Sequence, residues 1–190
     1  METTDIIQNS TAQNAIRGAR DLGLVLAGGL IAGALDLTFA FVFYGQQGAT
    51  PLRILQFIAS GVLGRGSFQM GLASAALGAF FHFFTSVCAA GIYYLASLRF
   101  SFLTRRVAVA GAIFGVLMFL AMHFIVIPLS AIKPSPMKVG NVIGELCSHV
   151  FLFGMVIAYA VSRAASLPLA PPSIIVPDHH VRSSGTTKSL

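Results

Sequence analysis

The stretch VAVAGAIFGVLMFLAMHFIVIPL, residues 107 to 129, contains no Asp, Glu, Lys or Arg, and Pro128 closes it at one end. At about 1.5 Å of rise per residue, a helix of this length exceeds the ~30 Å hydrocarbon core of a bilayer. Stretches 22 to 44, 72 to 97 and 139 to 162 have the same character, and across all four only Asp36 and Glu145 belong to the Asp, Glu, Lys and Arg set. The chain has 190 residues, 56% hydrophobic and 9% charged, where a soluble domain carries roughly a quarter charged residues. The sequence predicts an all-α integral membrane protein, a multi-pass four-helix transmembrane bundle.

The net charge of +6 does not point to nucleic acid, because the basic residues flank apolar spans instead of forming a stripe. The expected partner is the lipid bilayer. The first apolar run is too long for a signal-peptide core and follows Glu2 and Asp5, so the first span is expected to be retained. Cys88 and Cys147 fall inside spans at different depths and offer no disulfide framework. Eight of the twelve basic residues (Arg17, Arg20, Arg99, Arg105, Arg106, Arg163, Arg182 and Lys188) lie on one side of the spans; Arg53, Arg65, Lys133 and Lys138 lie on the other. The positive-inside rule then predicts that both termini are cytoplasmic.

Outside the spans, residues 1–21 read as a cytoplasmic N-terminal segment, weakly structured over its first twenty residues. Residues 163–190, rich in Pro, Ser and Thr, read as a disordered cytoplasmic tail whose His179 and His180 are solvated. Between the first two spans, Thr50 is placed to cap a helix and Pro51 to start it, giving PLRILQFIASGVL before the Gly64-Arg65-Gly66 break. Its ~13 residues are too short to span. Leu52, Leu55, Ala59 and Val62 share one face, opposite Arg53, Gln56 and Ser60. An amphipathic helix in the outer interface is the expectation, with a re-entrant element over the bundle mouth as the alternative.

Gly29, Gly33, Asp36 and Ala40 line one face of the first span, and Ala75, Ala79, His82, Ser86, Ala89 and Tyr93 one face of the second. Gly111 and Gly115 supply a small-residue contact on the third. The fourth carries a polar stripe of Asn141, Glu145 and His149. Such faces suit packing within the chain, in a homo-oligomer or against a membrane-complex partner. Counted from the outer end of each span, Asp36, His82, His123, Glu145 and His149 all lie between roughly 9 and 15 Å deep. They form one layer, with Ser86 and Asn141 beside it. Intramembrane ionisable groups mark ion paths, proton relays or ligand sites, and are otherwise hydrogen-bonded knots between helices. Glu145 with His149, His82 and His123 would suit a transition metal, and His82 with His149 a bis-histidine haem. Glu145 must be neutral or paired with His149 or His123. No catalytic residue is assigned, since no nucleophile has a positioned base and no phosphate-binding loop is present.

His82 followed by Ser86, HFIVIPL (His123 to Leu129) and GELCSH (Gly144 to His149), with a weaker echo in GLIAG (Gly29 to Gly33), resemble the YagU-like small inner-membrane proteins of bacteria. That resemblance implies a four-helix protein of the bacterial inner membrane whose polar set is His82, His123, Glu145 and His149. Asp36 and residues 51–66 lie outside the likeness. The family has no assigned reaction. The expected function is non-enzymatic: a protonatable His/Glu centre serving proton- or cation-linked transport or envelope homeostasis. A structural or accessory subunit, and a metal- or haem-binding protein, are the alternatives.

Overall fold

A computed structural model describes residues 2–132 and 138–166, without the side chains of residues 2–11, 17 and 166. Four helices are long and apolar enough to cross a membrane: Ala12–Gly45, Gly71–Ser97, Val107–Leu129 and Val139–Ala165, the first to fourth spans. They fall on the four expected stretches. The first differs most, because its helix runs Glu2–Gly45, so most of the segment expected to be weakly structured is helical. Residues 2–21 contain no proline, and once a spanning helix exists each further residue joins it without a new nucleus. At the other terminus, residues 163 to 166 continue the helix Met155–Ser166 instead of opening the tail. From residue 167 onward the expected tail, with His179 and His180, lies outside the described residues.

Packing divides the bundle into two halves. In the closed half, Val25, Ala32, Ala89, Ala90, Tyr93, Ala110, Phe153, Ile157, Ala158 and Val161 make one buried cluster. Small residues dominate it because lipid offers no hydrophobic force between helices, and backbones must come close for dispersion to hold them. A Cβ on Gly29 would lie 2.9 Å from Val87 Cα of the second span, and one on Gly111 2.8 Å from Met155 Cα of the fourth. At Gly115 it would meet Val150 Cα at 2.6 Å and the His149 carbonyl closer still. The edge of Tyr93 meets Phe114 with ring centroids 4.9 Å apart, which closes the second span on the third. Exposed Leu30, Ile31, Phe80, Phe84, Leu117 and Phe124 clothe the outside of the spans, as a hydrocarbon solvent requires.

In the other half the second and third spans are bridged by the short helix Pro51–Leu63. Thr50 caps it through its side chain, which accepts from Arg53 N–H at 3.3 Å, and Pro51 stands in the first turn, as the sequence led us to expect. Its burial cuts across the two expected faces. Gln56, Ala59 and Ser60 are buried, whereas Val62, expected beside Ala59, is 65% exposed. Gln56 Nε2 donates to the Gly71 carbonyl at 3.1 Å and Ser60 Oγ to the Phe57 carbonyl at 2.6 Å. Polar groups therefore find partners in protein, while Leu52, Phe57 and Val62 are exposed, the last two to the cavity described below. The helix crosses the second span so closely that a Cβ on Gly78 would strike the Leu55 carbonyl. On its other side Gly61 accepts from Ala131 N–H at 2.9 Å, just beyond the third span.

Gly115→Val is expected to push the third and fourth spans apart and to cost about 3 kcal/mol. Gly91→Ala, at a position with nothing within 4 Å of an added Cβ, should stay within about 1 kcal/mol of the parent. Thermal unfolding of the two variants in detergent separates them; equal melting temperatures would contradict the close backbone crossing.

Candidate functional site

The half of the bundle bridged by Pro51–Leu63 contains a cavity of about 1180 Å³. Asp36, His82, His123, Glu145 and His149 all line it, together with Ser86 and Asn141. Shared lining is not the same as direct bonding, and the five fall into three arrangements.

The first is centred on Glu145. His123 Nε2 lies 3.0 Å from Glu145 Oε2, with the two side chains 11% and 23% exposed, a buried ion-pair geometry between the third and fourth spans. Tyr44, from the last turn of the first helix, donates its hydroxyl to Glu145 Oε1. Glu145 thus joins three spans. His123 Nδ1 donates to the Phe119 carbonyl at 3.0 Å, and a carbonyl can only accept, so this nitrogen carries a proton. A further proton must then lie between Nε2 and Oε2, whichever atom formally holds it. The bond survives in both forms, as imidazolium with carboxylate or as imidazole with carboxylic acid.

His149 does not pair with the Glu145 side chain, although it stands four residues on. Its Nδ1 donates to the Glu145 backbone carbonyl at 2.9 Å. Both histidines sit in widened π-helical turns, Met122–Val126 and Ser148–Gly154. Ile127 N–H reaches back five residues to the Met122 carbonyl, and Met155 N–H does the same to Val150. In the third span the cause is Pro128, whose ring crowds the preceding turn and which has no N–H to give. The ring of buried Phe119 packs against both histidines, with centroids 4.2 Å from His123 and 5.9 Å from His149.

The second arrangement joins Asp36 of the first span to Ser148 of the fourth, whose Oγ donates to Asp36 Oδ1 at 2.6 Å. The third holds His82, whose Nε2 donates to the Gly33 carbonyl at 2.9 Å, while Ser86 Oγ donates to the His82 carbonyl at 2.8 Å. Asn141 lines the cavity, and its backbone N–H closes the first turn of the fourth span on the Lys138 carbonyl at 2.9 Å.

Tyr44 and Ser148 were not singled out from the sequence as members of the centre. Tyr44 lies at a span end, where an aromatic with a polar tip is expected at the interface, yet Asp36, Ala40 and Tyr44 recur at steps of four, which carries the Asp36 face to the helix end. Ser148 lies three residues after Glu145 and hence on its face. Among the described residues no three His, Cys, Asp or Glu side chains converge as a metal site. The bis-histidine arrangement fares no better, because His82 Nε2 is turned to a carbonyl.

Tyr44→Phe should lower stability by about 0.6 to 1.7 kcal/mol, the range for a hydrogen bond inside a membrane bundle. Combined with Glu145→Ala it should cost little more than Glu145→Ala alone, because the hydroxyl has already lost its acceptor. A double-mutant cycle on detergent-solubilised protein checks this, and strict additivity would contradict the Tyr44–Glu145 bond.

No protein-family model matches the chain, and neither does any curated protein or solved structure.

Proposed function

We propose that this is a non-enzymatic protein of the bacterial inner membrane whose His123–Glu145 centre takes up and releases protons in proton- or cation-linked transport or in envelope homeostasis. The observation that carries the reading is the pairing of His123 and Glu145 in the wall of the large cavity. His123 is fixed by Phe119 and Glu145 by Tyr44, so a proton crosses between Nε2 and Oε2 without either side chain moving. Histidine is the side chain that changes charge near neutral pH, which suits it to such a relay. The motifs shared with the YagU-like proteins, His82 with Ser86, HFIVIPL and GELCSH, support the assignment to that family and to the inner membrane. The excess of Arg on one side supports cytoplasmic termini.

A second reading is favoured by a different observation. His82 is tied to Gly33, and Asp36 to Ser148, by bonds that join spans directly. In an accessory or structural subunit, the whole polar layer sets helix register, each bond adding about 0.6 kcal/mol.

Purified chain in liposomes should dissipate an imposed pH gradient between pH 5 and 8, and Glu145→Gln should abolish this while melting at the parent temperature. Wild-type liposomes that hold the gradient, with and without divalent cations, would overturn the transport form and leave the accessory one. Orientation is tested with Cys88→Ser and Cys147→Ser as background. Gln46→Cys should then react with an impermeant maleimide added outside intact cells, and Ser101→Cys only after the cytoplasm is opened; the reverse pattern overturns cytoplasmic termini.

A further inference from the structure

The proton reading uses His123, Glu145 and Tyr44 and leaves unexplained both the size of the cavity and the carboxylate of Asp36. At about 1180 Å³ the cavity is far larger than a proton path needs and exceeds the ~300 to 1,000 Å³ usual for small-molecule sites. Asp36 lies about 13 Å along the helix from Gly45 by its count of residues, in the wall of that cavity. Among the described residues its hydrogen-bond donor is the neutral Ser148 hydroxyl, through Oδ1. A carboxylate at such depth is costly without a positive partner. Of the histidines in the wall, His82 is bonded to the Gly33 carbonyl, His123 to Glu145 and His149 to the Glu145 carbonyl; the Arg and Lys residues lining the cavity are Arg53, which stacks 4.0 Å over the Phe68 ring, and Lys138, which precedes the fourth span. Both belong to the end of the bundle where the cavity meets the chain's loops.

Apolar rings make up much of the wall, with Phe39, Phe57, Phe68, Phe81 and Phe153 among its residues beside neutral polar groups such as Thr85 and Asn141. Aromatic faces attract cations and also bury apolar bodies, so rings around one deep carboxylate fit a ligand with both properties. We infer that the cavity binds a lipophilic organic cation, with its positive centre against Asp36 and its apolar groups against the phenylalanine rings. As the substrate of proton-linked transport this cation rests on the reading above; as a ligand it does not. His123 and Glu145, bonded to each other and to Tyr44 in the same wall, would then be the groups that exchange protons while the cation occupies its own carboxylate.

The test is equilibrium dialysis of radiolabelled tetraphenylphosphonium against the full chain in detergent, with tetraphenylborate, an anion of the same shape, as the comparison. One saturable phosphonium per chain is expected, with no saturable borate. Asp36→Asn still accepts from Ser148 and should weaken phosphonium binding tenfold or more. Ala40→Phe, which fills cavity space and leaves every polar group in place, should weaken it as well, and melting temperatures report whether each variant is folded. Absence of saturable phosphonium binding overturns the inference, as does equal binding of the borate or an unchanged affinity in folded Asp36→Asn. Failure of the proton reading shows separately: wild-type liposomes would hold their pH gradient while phosphonium still binds, whereas a gradient dissipated by a chain that binds no phosphonium removes the ligand alone.

Discussion

The close crossing of the third and fourth spans at Gly111, Gly115 and Gly154 is the contact on which the rest of the structure depends. A Cβ on Gly154 would come within 2.8 Å of Gly115 Cα, so the two backbones touch with no side chain between them. Hydrocarbon gives helices no reason to associate beyond close packing and hydrogen bonds. The first span repeats the device against the second at Gly29 and Gly33. Helices held this tightly in one half can separate in the other. There the space between them is kept open by larger side chains and bridged by Pro51–Leu63, and polar residues of the spans come to line a cavity.

Bringing Glu145 into that cavity is costly unless its lone pairs are used, and the partners come from two other spans. Tyr44 and His123 lie far from Glu145 in sequence, so their bonds to it form only when the first, third and fourth spans are assembled. The pair therefore reports on assembly and at the same time keeps a proton where it can shift between two atoms. Asp36 is treated differently. It receives one hydroxyl from Ser148 and stays in the cavity wall, so the two acids of the spans share one cavity with different hydrogen-bond partners.

The spans were legible in the sequence because hydrocarbon imposes a length and an apolar composition that a linear reading detects, as in residues 107 to 129. The five ionisable residues could be placed at one depth by counting alone, since rise per residue is nearly constant in a helix. Pairing was harder to read. Glu145 was expected to pair with His149 or His123, and His123 takes that place, because His149 Nδ1 is used on Glu145's own carbonyl. Burial in Pro51–Leu63 cuts across the expected faces, because amphipathic reasoning assumes water on the polar side. Here Gln56 finds its acceptor on Gly71 inside the protein, while Phe57 and Val62 are exposed to the cavity. Tyr44 escaped notice because its position at a span end already had a sufficient explanation.

The two widened turns account for how packing and polar faces share the same helices. In a helix of 3.6 residues per turn, each step of four overshoots a full turn by about 40°, so the column Gly115, Phe119, His123 would drift away from the fourth span. A turn closed by bonds to the fifth residue holds more residues and takes that overshoot back. His123, at the start of the widened turn, is stacked over Phe119 and within reach of Glu145. The same correction acts in the fourth span, where His149 stays near Phe153, with centroids 6.0 Å apart, and its carbonyl remains at the crossing with Gly115. Phe119 then sits between the two histidines as the spacer that sets their separation. Both of these histidines, and not only the one near Pro128, thus lie in such turns where the glycine contact gives way to the cavity wall.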